Sequence, residues 1–210
     1  MADYENILPV GPYLRQVRLP IAFALIFAGT VGVAFRVLLI LSPSPTERLP
    51  SGGLTEHLLW GLGGGLACGA AFCFALWIRL RFLVRRQYEG HLAFGAPAPE
   101  GGNFTHRLVA IREADTWIQR TAGVLYAGPG QVIFVPEVAN LPSNRHQSPL
   151  AVGPRTTFTP GQTKPEGLLK FFGARPLPTL EIRSGQDSLL LRVPEPETVA
   201  TALAQVCLRS

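Results

Sequence analysis

The sequence predicts a membrane α-hairpin of two transmembrane helices followed by an α+β domain, an antiparallel β sheet capped by a C-terminal helix. Two long apolar runs in the first half of the chain predict the hairpin, and the arginines flanking them predict its orientation. Short β-type runs in the second half predict the sheet. We divide the chain into an N-terminal segment, a hairpin with helices at about 19–41 and 58–84, a linker and the β domain, at residues 1–18, 19–86, 87–102 and 103–210.

The N-terminal segment is short and mixed in composition. Two acidic residues stand where a signal peptide would be basic, and the apolar run that follows exceeds the roughly 7–15 residues of such a peptide. We therefore expect the first helix to remain in the mature protein. Pro9, Gly11 and Pro12 are typical helix breakers, and we expect Tyr4 and Tyr13 to lie at the membrane interface.

The two apolar runs have the length of membrane spans. Leu19–Leu41 contains one charged residue, Arg36, and Leu58–Ile78 contains none. At about 1.5 Å rise per residue, each run covers the roughly 30 Å hydrocarbon core of a bilayer. Since the backbone finds no water there, a helix is the expected form. We predict that both helices span the membrane.

The arginines predict the orientation of the hairpin. Positive charge close to a span tends to stay in the cytoplasm. The loop at 42–57 holds one arginine against two glutamates, whereas both outer flanks are basic through Arg15, Arg18, Arg79, Arg81, Arg85 and Arg86. We expect both termini in the cytoplasm. The excess of arginine over lysine, with abundant Ala, Gly and Pro, favours a GC-rich bacterial genome. Together with the apolar runs, this predicts a location in the bacterial cytoplasmic membrane.

Each apolar run carries small residues at four-residue spacing. These residues are Ala24, Ala28 and Gly32 in the first helix and Gly61, Gly65 and Gly69 in the second. Small residues at this spacing let two helix backbones approach closely in lipid. Two interpretations follow: the two helices of the hairpin pack on each other, or the stripe is a docking face for another integral membrane subunit.

Arg36 is the one charge inside the spans. An arginine in a membrane helix is costly and is by default a functional candidate. It lies six residues before Ser42, so its side chain could reach the interface. The alternative is a buried partner from another subunit, a carboxylate or the edge of a cofactor.

The basic charge of the protein is concentrated around the hairpin. The formal net charge is +5, but the residues from Gln87 onward hold eleven Lys/Arg against ten Asp/Glu, a balance of +1. The excess therefore fits membrane lipid as the partner rather than nucleic acid, which requires a basic face.

The second half of the chain reads as a small antiparallel β domain. Turn residues separate six runs rich in β-branched and apolar residues, at His106–Ile111, Gly123–Ala127, Val132–Pro136, about Arg155–Thr159, Thr179–Arg183 and Ser188–Val193. A helix is expected after Pro194, with an apolar stripe at Val199, Ala202, Leu203 and Val206. The stretch 140–170 is Pro-rich and weakly patterned, and we interpret it as an insertion that lies on a partner.

Two segments carry a resemblance to a known family. Gly123–Tyr126, a tight turn and Gln131–Pro136 resemble the central hairpin of GRAM and bacterial pleckstrin-homology-like (PH-like) domains. The resemblance implies a curved antiparallel sheet with a C-terminal helix, and binding of anionic lipid or a peptide. The turn at 127–130 lacks the basic residues that such hairpins often carry.

No catalytic or cofactor motif is present in the sequence. There is no P-loop, nucleophile elbow, HExxH or dinucleotide fingerprint, and Cys68, Cys73 and Cys207 form no metal-ligand spacing. We expect a protein that is not an enzyme and binds no cofactor. Two functions remain: an accessory subunit that docks into and stabilises a larger membrane complex, or a membrane-tethered PH/GRAM-like module that binds anionic lipid or a peptide.

Overall fold

The protein divides into two compact units in a computed structural model. One unit combines residues 1–16 with residues 85–210, and the other holds residues 17–84. The N-terminal segment, expected to be separate, thus joins the β domain. The structure describes residues 3–17, 21–41, 54–94, 101–113, 121–137, 149–163 and 176–208.

One whole helix and most of another make up the second unit, and the longer of the two extends beyond it. Helix α2 spans Ile21–Leu41 and helix α3 spans Leu54–Leu92, after a short α1 at Val10–Arg15. The second helix is longer than the predicted 58–84, so residues 87–92 are helical rather than linker. Between Glu56 and the Pro97 that follows the helix no proline interrupts it, and an ion pair from Arg85 to Glu89 adds i,i+4 support.

Within the described part of the chain, one helix is long and apolar enough to cross a membrane, judged by length and composition. That stretch is Leu58–Leu92 in α3, where two spans were predicted. Large apolar side chains on α3 are exposed, with Phe72 at 68% and Trp60 at 66%. The helix pair therefore does not bury its largest side chains.

Eight strands among the described residues form the sheet of the first unit. They run in the order β5-β4-β3-β2-β8-β7-β6, with antiparallel neighbours, and β1 pairs in parallel with β2 off this path. The strands are β1 at Glu5–Asn6, β2 at His106–Arg112, β3 at Thr121–Gly128, β4 at Gln131–Pro136, β5 at Leu150–Ala151, β6 at Thr157–Thr163, β7 at Leu177–Ser184 and β8 at Asp187–Arg192.

Two meanders meet in the middle of this sheet. Strands β2 to β5 form the first and β6 to β8 the second. The end of β2 joins them: Ile111 and Arg112 pair with β8, and the amide of Glu113 donates to the carbonyl of Leu190 at 2.9 Å. A tight turn joins β3 to β4, and Gly130 there has φ +73°, which a glycine adopts without strain. All six predicted strands are present, with β6 beginning two residues later and ending four residues later than predicted. Strands β5 and β6 lie inside the stretch 140–170 that was interpreted as an insertion.

The C-terminal helix α4, Pro196–Leu208, packs on the core of the sheet. Val199 and Leu203 are fully buried as predicted, but Ala202 and Val206 are only half-buried. Cys207 completes the buried row, because positions i, i+4 and i+8 lie on one face of a helix. The apolar core is thus closed by α4 on the side where it contacts β3, β6 and β7.

Candidate functional site

The first half of β2 has an edge that the main sheet leaves open. Strand β2 pairs with β3 along its whole length, from His106 to Arg112. On its other edge it pairs with β8 only at Ile111 and Arg112. Backbone carbonyls along the earlier part of this edge therefore need other donors, because unpaired backbone groups are costly when buried.

The N-terminal residues Tyr4–Arg15, which we call the clasp, supply these donors. The amide of Glu5 donates to the carbonyl of Thr105 at 2.9 Å, and the amide of Ile7 donates to that of Arg107 at 2.9 Å. The hydroxyl of Tyr13 donates to the carbonyl of Val109 at 2.6 Å. Three alternate carbonyls of one strand edge are satisfied by one segment about a hundred residues away in the sequence.

The clasp is also part of the hydrophobic core. Leu8 is 3% exposed and belongs to the core cluster, and Ile7 and Tyr13 pack against it. Tyr4 meets the ring of Tyr126 edge-on, with centroids 5.1 Å apart. The expectation that Tyr4 and Tyr13 lie at a membrane interface is wrong, because both pack inside the first unit.

A short helix forms within the clasp, where none was expected. Helix α1 begins after Pro9 and contains Pro12, which is buried. Proline is tolerated in the first turn of a helix because the amide there has no intrahelical partner. The prolines therefore start this helix rather than prevent it.

The last turns of α3 also contact the clasp. Tyr88 is buried, and its hydroxyl donates to the carbonyl of Leu8 at 2.6 Å. Its ring lies against that of Tyr13, with centroids 4.5 Å apart. Burial raises the pKa of both tyrosines above the ordinary value of 10, so both phenols stay protonated and able to donate.

Arg107 on β2 connects the clasp with the end of α3. Its Nε donates to Oδ1 of Asn6 at 2.9 Å, and its NH1 group donates to the carbonyl of Leu92 at 3.1 Å. The second bond caps a terminal carbonyl of the helix. Nearby, His91 on α3 lies 3.1 Å from a carboxylate oxygen of Glu137. The clasp, β2 and the helix end thus form one bonded cluster.

The predicted stripes of small residues meet within the second unit. A Cβ at Gly65 would lie 2.6 Å from the carbonyl oxygen of Ala28 and 2.9 Å from the Cα of Gly32. Real Cβ atoms do not come so close, so the two backbones touch only because glycine stands there. Gly61 and Gly69 are buried on the same side of α3.

Not every predicted residue of the stripes can be placed. Ala24 and Arg36 lie in α2, but their side chains are outside the described residues. Sequence reasoning also missed Gly29, which is buried. A Cβ atom added to Gly29 would lie 3.3 Å from a side-chain carbon of Leu62 and 3.3 Å from one of Leu66. Gly29 precedes Gly32 by three residues, so it shares the helix face without sharing the four-residue spacing.

The four predicted interface arginines differ in their surroundings. Arg79 and Arg86 are exposed. The guanidinium of Arg81 lies over the ring of Trp77, 4.5 Å from its centroid. Arg85 is ion-paired with Glu89 at 2.8 Å.

The described residues offer no evident reaction chemistry. No group of three or more His, Cys, Asp or Glu among them is placed to hold a metal ion. Cys207 is buried, and burial raises the pKa of its thiol to about 11, which disfavours the nucleophilic thiolate. A shallow depression lies on the outer face of α4, lined by Glu197, Thr198, Thr201, Ala202 and Gln205.

No protein-family model matches the chain, and no curated protein matches its sequence. Sequence reasoning did not find the roles of the clasp residues Leu8 and Tyr13, or those of Tyr88 and Arg107, which bond to the clasp. The carbonyls of Thr105, Arg107 and Val109 recur at the period of two of a strand. The short N-terminal stretch that bonds to them carries no recognisable strand pattern.

Proposed function

We propose that the chain is a non-catalytic integral membrane protein, an accessory subunit that docks into and stabilises a larger membrane protein complex. In this proposal α2 and α3 cross the bacterial cytoplasmic membrane as a hairpin, and both termini lie in the cytoplasm. The observation that carries the proposal is the clasp, which bonds the segment before the hairpin and the helix end after it into one domain.

The surface of α3 supports its placement in a membrane. Its exposed large apolar side chains would be costly in water over so long a helix. Trp60 and Trp77 stand 17 residues apart, which is about 25 Å along a helix and close to the distance between the two interfaces where Trp is enriched. The basic residues begin directly after the second of these tryptophans.

The clasp supports the hairpin rather than a single span. Residues 3–16 and the β domain belong to one compact unit, so they must lie on the same side of any membrane. The chain between residues 17 and 85 then crosses an even number of times. If α3 crosses once, α2 is the segment that crosses back, and its 21 helical residues are sufficient for about 30 Å.

The same bonds favour a bracing role over a tethered binding module. A tethered module needs a flexible connection to search for its ligand. Instead, α3 continues as a helix to Leu92, and Tyr88 and Leu92 take part in the domain's hydrogen bonds. The end of α3 is therefore part of the domain.

Purification in mild detergent tests the proposal. The tagged full-length protein is extracted from native membranes and the material that accompanies it is quantified. We expect a stoichiometric partner of integral membrane subunits, which Gly65→Leu reduces because a side chain there would separate the two helices. Gly64→Leu is the matched control, since nothing lies within 4 Å of a Cβ at that position.

Recovery of the protein alone, or only as a homo-oligomer, would overturn the accessory role. Equal complex recovery for both leucine variants would show that the Gly32–Gly65 contact is not needed for docking. Protease protection of tags at each terminus in spheroplasts tests the orientation, and a protected N-terminus with an accessible C-terminus would contradict the hairpin.

The second candidate function is a membrane-tethered PH/GRAM-like module that binds a peptide. Two antiparallel meanders followed by a C-terminal helix support the resemblance. Strand β6 is an edge strand in which most residues are exposed, and such an edge can accept an extended peptide. Pro160 interrupts its donors, and the β3–β4 turn has no basic side chain for a lipid headgroup.

A further inference from the structure

Trp77 and Arg81 form a preorganised cation–π pair on α3. The guanidinium lies 4.5 Å from the centroid of the indole ring. Phe74 stacks on the same indole at 6.1 Å, with the two rings inclined by 26°. The aromatic pair therefore fixes the plane of the arginine head, which reduces the entropy lost when the head binds a ligand.

Arg81 differs in its ion pairing from Arg85, which lies one turn later in the same helix. Arg85 forms a 2.8 Å ion pair with Glu89. Among the residues that the structure describes, no carboxylate pairs with Arg81, and its Nε is buried without a hydrogen-bond partner. Arg81 thus presents an oriented guanidinium without a carboxylate partner among the described residues, just after the apolar run of α3 ends.

We propose that Arg81, held against Trp77, binds the phosphate of an anionic phospholipid in the cytoplasmic leaflet. The inference rests on the membrane insertion proposed above. A planar guanidinium matches phosphate oxygens through parallel N–H donors, and tryptophan at the end of a span lies at the level of the headgroups. The neighbouring exposed Arg79 adds positive charge.

The test uses the fluorescence of Trp77 in reconstituted full-length protein. Trp60→Phe and Trp117→Phe leave Trp77 as the single tryptophan. Vesicles mix phosphatidylcholine and phosphatidylglycerol, with bromine atoms near the headgroup end of the acyl chains of one lipid at a time. Because bromine quenches only at contact, the ratio of the two quenching curves gives the preference of the Trp77 site for the anionic lipid.

We expect phosphatidylglycerol to be enriched at Trp77, and Arg81→Gln to lower this preference by about fivefold, the effect of one arginine at an anionic surface. Arg85→Gln removes the same formal charge from the helix but from an existing ion pair, so it should change the preference much less. Inorganic phosphate at high concentration should not compete if the bound group belongs to a lipid.

Four results would overturn the proposal. Equal quenching by both lipids, or an equal loss in Arg81→Gln and Arg85→Gln, would reduce Arg81 to general surface charge while leaving the accessory role intact. Competition by inorganic phosphate would identify a free anion as the ligand. Absence of quenching by either brominated lipid would overturn the membrane placement of α3 itself, and with it the proposed function.

Discussion

The two compact units of this chain differ in the exposure of their large apolar side chains. In the β domain, Leu125 and Leu203 are 0% exposed. In the helix pair, aromatic side chains such as Phe72 face outward, and the two backbones come into contact at Gly32 and Gly65. Burial of apolar area stabilises the first unit, whereas close backbone approach holds the second. This difference is what two solvents, water and lipid, would select within one chain.

Removal of the clasp gives the most direct test of this difference between the units, because the clasp belongs to the first unit but precedes the second in the sequence. Deleting residues 1–16 removes the buried Leu8, two backbone hydrogen bonds and the bond from Tyr13. We expect a loss of about 5 kcal/mol or more, from about 2–5 for the leucine and about 1 for each bond.

The measurement is chemical denaturation of the full chain in micelles, followed by limited proteolysis within the β domain. The loss should be confined to that domain, since α2 and α3 keep their own contacts. An unchanged denaturation midpoint after the deletion would show that the clasp is not part of the folded domain in solution. The same result would remove the basis for placing both ends of the hairpin on one side.

A pair of identical substitutions sharpens the contrast between the units. Leu203→Ala empties a fully buried position in the domain and should lower the free energy of unfolding by about 2–5 kcal/mol. Leu59→Ala on α3 removes the same atoms from a side chain that is 64% exposed, and should cost much less. Denaturation of both variants in the same detergent checks the difference, and similar losses would contradict the assignment of separate solvents.

Much of the domain could be predicted from sequence because its signals are local. The pattern of six strands, the turn at Gly130 and the final helix follow from alternation, turn residues and capping within ten residues or so. The prediction of which α4 residues are buried was less accurate. Ala202 and Val206 fit the helical spacing, but contact with the sheet selects Cys207 instead, and the sequence alone does not show where the sheet lies.

The clasp could not be predicted for a related reason. Glu5 pairs with His106, and a strand of two residues contains no period. The need for it arises only because β2 and β8 pair over two residues, which is a property of the assembled sheet. The glycine contact between α2 and α3 was easier to predict, because small residues at four-residue spacing are visible within one short stretch of sequence. Gly29 does not follow that spacing.

The glycine contact should be sensitive to a single methyl group. In Gly65→Ala the new Cβ meets the backbone of α2, and we expect the helix pair to lose about 1–3 kcal/mol as the backbones move apart. Gly64→Ala adds the same methyl group to open space and should leave the pair intact. Cysteine crosslinking between α2 and α3 reports the spacing, and equal crosslinking in both variants would contradict the contact.

The tyrosine pair of the clasp gives the smallest effect and a specific pH dependence. Tyr13→Phe and Tyr88→Phe each remove one buried hydroxyl bond, and each should cost about 1 kcal/mol near neutral pH. Burial raises the pKa of both phenols in the folded protein above the ordinary value of 10. The unfolded chain therefore ionises first as the pH rises.

The sign of the pH dependence follows from this order. Below about pH 10 the two tyrosines make their full contribution to the free energy of unfolding. This contribution is lost as the pH rises from there through the pKa of the folded state, because the unfolded state then binds fewer protons. Each phenylalanine variant should flatten the alkaline decline in unfolding free energy, and the double variant should flatten it further. Parallel alkaline slopes for all four proteins would show that these phenols are not buried, and residues 3–16 would then have no demonstrated contact with the end of α3.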